Sequence, residues 1–500
     1  QTCALPIFLF VILCILIYLP PIQNFLVDKA AVYASEATGM NISVGRISLS
    51  FPLNLVVTDV DAASPHKDTL LSVRRLQVNV QLLPLLKKQV EVDGISLQGA
   101  TVNSNDLIHG MRLNGTLGEL FISSHGVALD PETAIVNKVL LKDTDLSLCL
   151  NDTAAADTAA SDTTYWKIIL QDIDLQNVSF ALDMPLDSLS LAASLDNATL
   201  RDGLIDLHKS AYSLQTFRIK NGRVRYDSGR PSATASADSL SAGLDPSHIA
   251  LTDIGVKLDS LYYEGRNMKA IISQFVLKER SGVEIVSTEG RLVSNDKVLR
   301  VPSLKLETRD SYLELNAAMD WDALDFKKEG LVSARLMADI GKPDVVRFMG
   351  SMDEKFIRKY PSEPLRIRTG IDGDLNKLKL TTLTAELPGA LELFAKGELT
   401  SLTDSLLRGG DITLQAETKD LKFISTLAEG IEIPYGTRLE GKFTMAGPKM
   451  GTDLLLMQPE AHAVAAADTI PMTVYNDSIS VADDFKMERA ARLFAKYDFS

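Results

Sequence analysis

The stretch Leu76–Leu82 reads LQVNVQL, with an apolar side chain at every even position and an amide at every odd one. Successive side chains of a β-strand point to opposite faces of its sheet, so this period of two predicts a strand with one apolar and one wet face. A sheet buried on both faces would show continuous apolar runs instead. The alternation recurs at 47–51, 305–308, 312–316, 378–380 and 412–416. We therefore predict a mostly β fold.

An eight-residue module occurs four times in the first half of the chain. The modules begin at Ile95, Val139, Ile173 and Phe217, with apolar residues at positions one, three and eight. Position five is Gly, Asp or Asn, the residue types that best tolerate positive φ. Positions one and three are odd and position eight is even, so we predict a turn or one-residue bulge at position five that returns the side chains to one face. The modules start 44, 34 and 44 residues apart, which disfavours a solenoid or propeller and suits a long sheet of irregular hairpins.

The N-terminus contains an uncharged apolar run, from Ala4 to Leu19. About 20 apolar residues span a bilayer as a helix, so we predict a transmembrane anchor over 1–21. The alternative is a cleaved signal peptide, which needs small residues shortly after its apolar core. Here Pro20 and Pro21 follow directly. The side chains expected inside the membrane include Leu5, Phe8, Phe10, Ile12, Leu16 and Tyr18.

Changes of pattern divide the rest of the chain. The predicted segments are a short helix over 22–40 that stops at Gly39, an elongated β domain over 41–456, and an irregular, truncated tail over 457–500. The segment 152–164 is a low-complexity run of Ala, Thr, Asp and Ser, which predicts a disordered loop. Few other helices are expected, at 343–360 and 420–429.

Composition and motifs exclude several classes of function. The net charge of -14 argues against nucleic acid, which requires a local excess of Lys and Arg. The six histidines are scattered singly, and the sequence contains no zinc-protease, nucleophile-elbow or phosphate-loop motif. Asp143-Thr144-Asp145 and Asp372-Gly373-Asp374 lack the further ligands of a calcium loop and are interpreted as β-turns. Cys149 alternates like a core residue. We predict a protein that is not an enzyme and has no cofactor and no metal site.

Four features together resemble the AsmA-like family, and within it the TamB translocation and assembly module proteins of Gram-negative envelopes. They are the anchor with its short helix, the strands at 42–49 and 51–60, the strand and turn at 76–86 with a returning strand at 90–97, and the repeated module. The resemblance covers residues 5–230 and continues weakly to 456. The C-terminal domain by which these proteins meet an outer-membrane barrel is not recognisable here.

The resemblance implies a long antiparallel sheet curled into an elongated groove, apolar inside and polar outside. It implies a single-pass inner-membrane protein, with its bulk in the periplasm, that conducts phospholipid between the membranes in outer-membrane biogenesis, with an outer-membrane barrel partner of the BamA/TamA type. The alternative is a scaffold or chaperone for β-barrel insertion or protein secretion, which would use a peptide-binding sheet edge. The groove is expected to be lined by Leu76, Val78, Val80, Leu82, Val90, Val92, Ile95 and Leu97.

Overall fold

The structure is a computed structural model that contains mostly β-strands, as the alternation predicts. It describes residues 29, 31–32, 35–36, 39–50, 53–64, 69–81, 92–104, 110–128, 132–151, 165–229, 243–325, 328, 330–349, 354–374, 376–402, 406–426, 435–447, 449–458 and 489–498. The predicted anchor at 1–21 and the predicted loop at 152–164 lie outside these residues.

The chain divides into two compact units. Unit 1 comprises residues 1–239, 245–265 and 272–280, and unit 2 comprises residues 240–244, 266–271 and 281–500. The sequence predicts a single domain over 41–456, because the same alternation continues through both units and no change of composition marks the division.

Unit 1 is built on a sheet whose neighbouring strands are antiparallel, with one exception. Its described strands are β1 (Asn41–Ser50), β2 (Asn54–Ala63), β3 (Thr69–Val80), β4 (Val92–Asn103), β5 (Met111–Ala128), β6 (Thr133–Leu150), β7 (Lys167–Met184), β8 (Leu189–Asp206), β9 (Ala211–Leu214), β10 (Thr216–Ser228) and β11 (His248–Glu264). Strands β1 to β8 follow one another across the sheet, and β9 and β10 together lie between β8 and β11.

The exception is the pair β6 and β7, which run parallel. Their register has a constant offset of 34 residues, from Thr133 beside Lys167 to Cys149 beside Asp183. This is the spacing between the two middle modules, so equivalent module positions lie side by side.

Unit 2 is antiparallel between consecutive strands from β13 onwards. The residues of the preceding strand, β12 (Asn267–Glu279), are divided between the two units. The strands that follow are β13 (Glu284–Ser294), β14 (Val298–Thr308), β15 (Tyr312–Asp320), β16 (Val332–Ile340), β17 (Leu365–Gly373), β18 (Lys377–Leu387), β19 (Leu391–Thr400), β20 (Gly409–Thr418), β21 (Arg438–Ala446), β22 (Lys449–Gln458) and β23 (Arg489–Asp498).

Three elements of unit 2 differ from the sequence predictions. The predicted helix at 343–360 is described as two, α1 (Lys342–Phe348) and α2 (Glu354–Lys359). The described part of 420–429 forms a short 3-10 helix, Ile424–Thr426, in which the Thr426 hydroxyl donates to the Phe423 carbonyl at 2.6 Å. The predicted irregular tail includes β23, which pairs with β22. Its sequence, RAARLFAKYD, has no clean period of two, so pairing rather than local pattern determines this strand.

The short N-terminal helix stops where the sequence predicts. Gly39 has φ +69°, and its N–H donates to the Ser35 carbonyl at 2.9 Å. Glycine adopts this left-handed conformation without steric cost, which is why it ends helices so often. The Ser35 hydroxyl in turn accepts from the Ile42 N–H at 3.0 Å and joins this turn to β1.

A cluster of buried apolar side chains lies in unit 2. It consists of Phe356, Tyr360, Leu387, Ala390, Leu421 and Phe423, none more than 8% exposed. The Phe356 and Tyr360 rings lie 5.8 and 5.2 Å from the Phe423 ring. Burial raises the pKa of the Tyr360 hydroxyl. Helix α2 thus covers the apolar face of the sheet at the ends of β17, β18 and β19.

Candidate functional site

The site follows from the register of unit 1, which aligns apolar side chains across ten strands. Residues directly opposite each other on paired strands share a face of the sheet. Two such rows lie side by side and are called the inner rows. The first runs through Ile47, Val57, Leu76, Leu97, Leu120, Leu141, Leu175, Ala198, Ile219 and Val256, and the second through Leu49, Leu55, Val78, Ile95, Ile122, Val139, Ile173, Leu200, Phe217 and Leu258.

On the other face, the row that lies between the first inner row and the nearer end of the sheet is polar in β1 to β8 and in β10. It runs through Arg46, Thr58, Arg75, Gln98, Glu119, Lys142, Gln176, Asn197 and Lys220. On the same face, the row that lies between the two inner rows is mixed, because Val56, Phe121 and Leu140 interrupt its polar residues. The two faces of unit 1 therefore differ: the face with the inner rows is apolar along both rows, and the opposite face is mostly polar, as the alternation predicts.

Beside the first inner row, the alternation of side chains between the two faces is interrupted, and the interruptions form a line across the sheet. In β1 to β8 and in β10, two residues instead of one separate this row from the next row, which is apolar except at Thr144 and Gly222. We call this line the first crease. Its residues are Gly45, Asp59, Arg74, Gly99, Gly118, Asp143, Asn177, Asp196 and Asn221.

Backbone conformation explains the first crease. Position five of every module lies on it, and all four residues have positive φ: Gly99 at +63°, Asp143 at +50°, Asn177 at +52° and Asn221 at +53°. The left-handed residue predicted at position five is confirmed, but it is not a one-residue bulge between β3 and β4, because the register is the same on both sides of it, with Val73 opposite Ala100 and Arg75 opposite Gln98. A left-handed residue interrupts the alternation, so odd apolar positions before it and even ones after it share a face. Asp59 in β2, with φ +54°, extends the same feature beyond the modules.

Small and polar side chains allow the strands to approach along the crease. A Cβ atom at Gly118 would lie 2.8 Å from the Asp143 Cβ, so a larger residue would clash there. Between the parallel strands, the Asn177 amide donates to the Asp143 carboxylate at 2.9 Å. One step along, the Ser179 hydroxyl donates to Asp145 at 2.7 Å.

A second crease follows the far side of the inner rows from β6 to β11. Two residues again separate apolar neighbours, for example between Leu170 and Ile173 and between Leu200 and Gly203. Asp202 lies on it with φ +50°, and the Asn137 amide donates to Gln171 across β6 and β7 at 3.0 Å. The segment between the creases, which carries both inner rows, is called the floor.

The inner rows are accessible. Of their twenty residues, Ala198 is buried at 3% exposure, Ile95 reaches 36%, and the others are half-buried. Where helix α2 covers the apolar face of unit 2, Phe356 is 2% and Leu387 3% exposed. The apolar face of unit 1 is therefore not a dry core.

Six predicted lining residues are brought together on this face. Leu76 pairs with Leu97, Val78 with Ile95, and Val80 with Val92, in the antiparallel pair β3 and β4. Leu82 and Val90 lie outside the described residues. The lining predicted from the sequence includes no residue of β5 to β11. The apolar positions of the modules at Val139, Ile173 and Phe217 would have identified inner-row residues in β6, β7 and β10.

One interpretation of the paired acidic residues is wrong and one is right. Asp143 and Asp145 lie inside β6, because the left-handed residue is part of a strand rather than of a turn. Asp374 does form a turn, in which its N–H and that of Lys377 each bond to the other's carbonyl. Within the described ranges, no three His, Cys, Asp or Glu side chains form a group able to hold a metal ion.

The half-buried Cys149 lies in β6, and its Sγ atom is 3.2 Å from the Asn151 amide oxygen. Among the described residues, no helix is long and apolar enough to cross a bilayer.

In comparisons with protein-family models, with curated proteins and with solved structures, nothing matches this chain. The resemblance to the AsmA-like family therefore stays a prediction.

Proposed function

We propose that unit 1 binds the acyl chains of phospholipids along its apolar face and conducts lipid between membranes. The observation that carries this proposal is the pair of inner rows, which are continuous across ten strands and half-buried rather than enclosed. Contiguous apolar patches beyond a few hundred Å² mark binding surfaces in soluble proteins.

The dimensions of this face suit an extended apolar ligand. Nine steps between ten strands, at ~4.8 Å each, give inner rows on the order of 43 Å long. Each methylene group that leaves water for such a face contributes about 0.8 kcal/mol. The rows contain no charged residue, so a chain could move along them without meeting an ionic barrier.

The proposed setting is the inner membrane, with the sheet in the periplasm. It rests on the apolar run from Ala4 to Leu19, which has the length of a membrane span. The creases add a physical reason for a groove, because they let the floor and the segments beside it present apolar side chains to the same side.

Photo-crosslinking tests the proposal at two adjacent residues of β3. A crosslinking amino acid at Val78, in the second inner row, should capture phospholipid in cells, and one at Gln77, on the polar face, should not. The two positions share a strand and are both half-buried, so they form a matched pair. Equal capture at both positions, or capture at neither, would contradict the proposal.

A scaffold for β-barrel assembly is the second candidate, and one observation favours it. Among the described strands, β1 pairs only with β2, so it is an edge strand of the described sheet, and an edge strand is where a further strand can add. Crosslinkers along β1 that capture unfolded barrel proteins, with only protein captured at Val78, would support this candidate over lipid conduction.

A further inference from the structure

A hollow on the polar face of unit 1 is lined entirely by hydrogen-bond donors. It has a volume of about 310 Å³ and lies over β8 and β10, on the face of the sheet opposite the inner rows. Its lining consists of Asn197, Thr199, Arg201, Thr216, Arg218 and Lys220. These residues form three cross-strand pairs, and the lining includes no carboxylate.

Arg201 forms a fixed wall of this hollow. It donates to the Asp172 carboxylate and, at 3.2 Å, to Asp174, which neutralise its charge. It also donates to the carbonyl groups of Ile173 and Leu200 at 3.4 and 3.3 Å. These partners hold the guanidinium against β7, so it shapes the site more than it attracts a ligand.

The attraction comes from Arg218 and Lys220. Both are exposed, and neither forms an ion pair with a described residue. Arg218 also lies directly opposite Lys257, and like charges in that position destabilise a sheet. The acidic residue beyond them, Asp259, is 3.7 Å from the Lys257 ammonium. This local excess of cations belongs to a chain with a net charge of -14.

We propose that this hollow binds a tetrahedral oxyanion, phosphate or a phosphomonoester. Arg218 and Lys220 are two residues apart on one face, so their Cα atoms are about 6.6 Å apart, and both can reach a single phosphate between them. A guanidinium binds phosphate in a bidentate manner, and an ammonium acts as a point charge. Asn197, Thr199 and Thr216 supply neutral donors. The site lies on the face opposite the inner rows, so it goes beyond acyl-chain binding.

Calorimetric titration of the full chain with sodium phosphate, at constant ionic strength, tests the site. We expect saturable binding that is at least tenfold weaker in the double variant Arg218→Gln and Lys220→Gln. The matched control is Arg223→Gln with Arg225→Gln, which removes the same charge from the same strand beyond the first crease. Lys220→Arg keeps the positive charge and should retain phosphate binding. Retained binding would show that a substitution at position 220 does not by itself cause a folding defect.

A second titration distinguishes the source of the phosphate. Water-soluble dihexanoyl phosphatidic acid carries a phosphomonoester, and dihexanoyl phosphatidylcholine does not. Dependence on Arg218 and Lys220 with inorganic phosphate supports a site for a free anion, and dependence with phosphatidic acid alone supports a lipid headgroup. Absence of that dependence with both ligands, or an equal loss in the control variant, would overturn the proposal. Phosphatidylcholine binding reports on the apolar face, so the failure of one proposal leaves the other testable.

Discussion

Replacing Asn177 by valine tests whether the first crease depends on left-handed residues. Asn177 has φ +52° in the middle of β7. An L-residue in this conformation costs about 1–2 kcal/mol, and a β-branched one tolerates it least. The substitution also removes the hydrogen bond to Asp143, worth about 0.5–1.5 kcal/mol. We expect Asn177→Val to lower the free energy of unfolding of unit 1 by about 1.5–3.5 kcal/mol.

Two control variants separate the contributions. Asn177→Gly removes the same hydrogen bond but keeps the backbone relaxed, so its loss should stay at or below about 1.5 kcal/mol. Gln176→Val changes the adjacent residue, which lies on the polar face with extended backbone, and should stay within about 0.5 kcal/mol. The difference between the valine and glycine variants at position 177 measures the conformational term.

Native-state hydrogen exchange of peptides within β7 and β6 is the suitable assay, because it reports local stability in the full chain. Protection should fall most in these two strands, which meet at Asn177 and Asp143, and least in β1. The reasoning is refuted if Asn177→Val is no more destabilising than Asn177→Gly, or if Gln176→Val costs as much.

Four further predictions concern single residues. Val78→Asp should leave unit 1 folded, because the side chain is half-buried, but abolish lipid capture by a crosslinker elsewhere on the inner rows; degradation of the variant would contradict an open face. Cys149→Ala should cost at most about 1–2 kcal/mol in urea unfolding and leave lipid capture unchanged. Phe356→Ala should cost about 3–5 kcal/mol, with the loss of hydrogen-exchange protection confined to unit 2. The pKa of Asp245 is lowered, chiefly by the Ser247 N–H, so its stabilisation is present above its ordinary pKa and lost as pH falls through the lower value; Asp245→Asn should remove that part of the acid dependence of unfolding.

The sequence predicts the strands and the left-handed residues of the four modules because both leave a local mark, whereas the alignment of these residues into one crease depends on register. Alternation marks the strands, and Gly99, Asp143, Asn177 and Asn221 mark the crease, since few residue types accept positive φ. The second crease has no such repeat, because Asp202 is its only described residue with positive φ. The inner rows depend on register, which pairs residues far apart in the chain.

The hollow over β8 and β10 is not predicted from the sequence, for a related reason. Arg201 and Arg218 are 17 positions apart in sequence, and each looks like an ordinary solvated cation on a strand. Only the pairing of β8 with β10 brings their donors to one place. The division into two units also leaves no mark, because the alternation that builds both sheets is the same.

The left-handed residues of the first crease are related to the direction of the strands. The five strands with left-handed residues on the first crease, β2, β4, β6, β7 and β10, all run in the same direction. Asp253 in β11 is left-handed too, but it lies one apolar row beyond this crease, between Leu251 and Ile254. On the second crease, Asp202 lies in β8, which runs in the opposite direction.

This relation connects the spacing of the modules to the topology. Modules 44 residues apart lie on strands separated by one intervening strand, β5 or β8, which turns the chain back. Modules 34 residues apart have no such strand between them in the sheet, and the two strands lie side by side and parallel. The 34-residue interval between modules therefore coincides with β6 and β7, the one parallel pair among the described strands of unit 1.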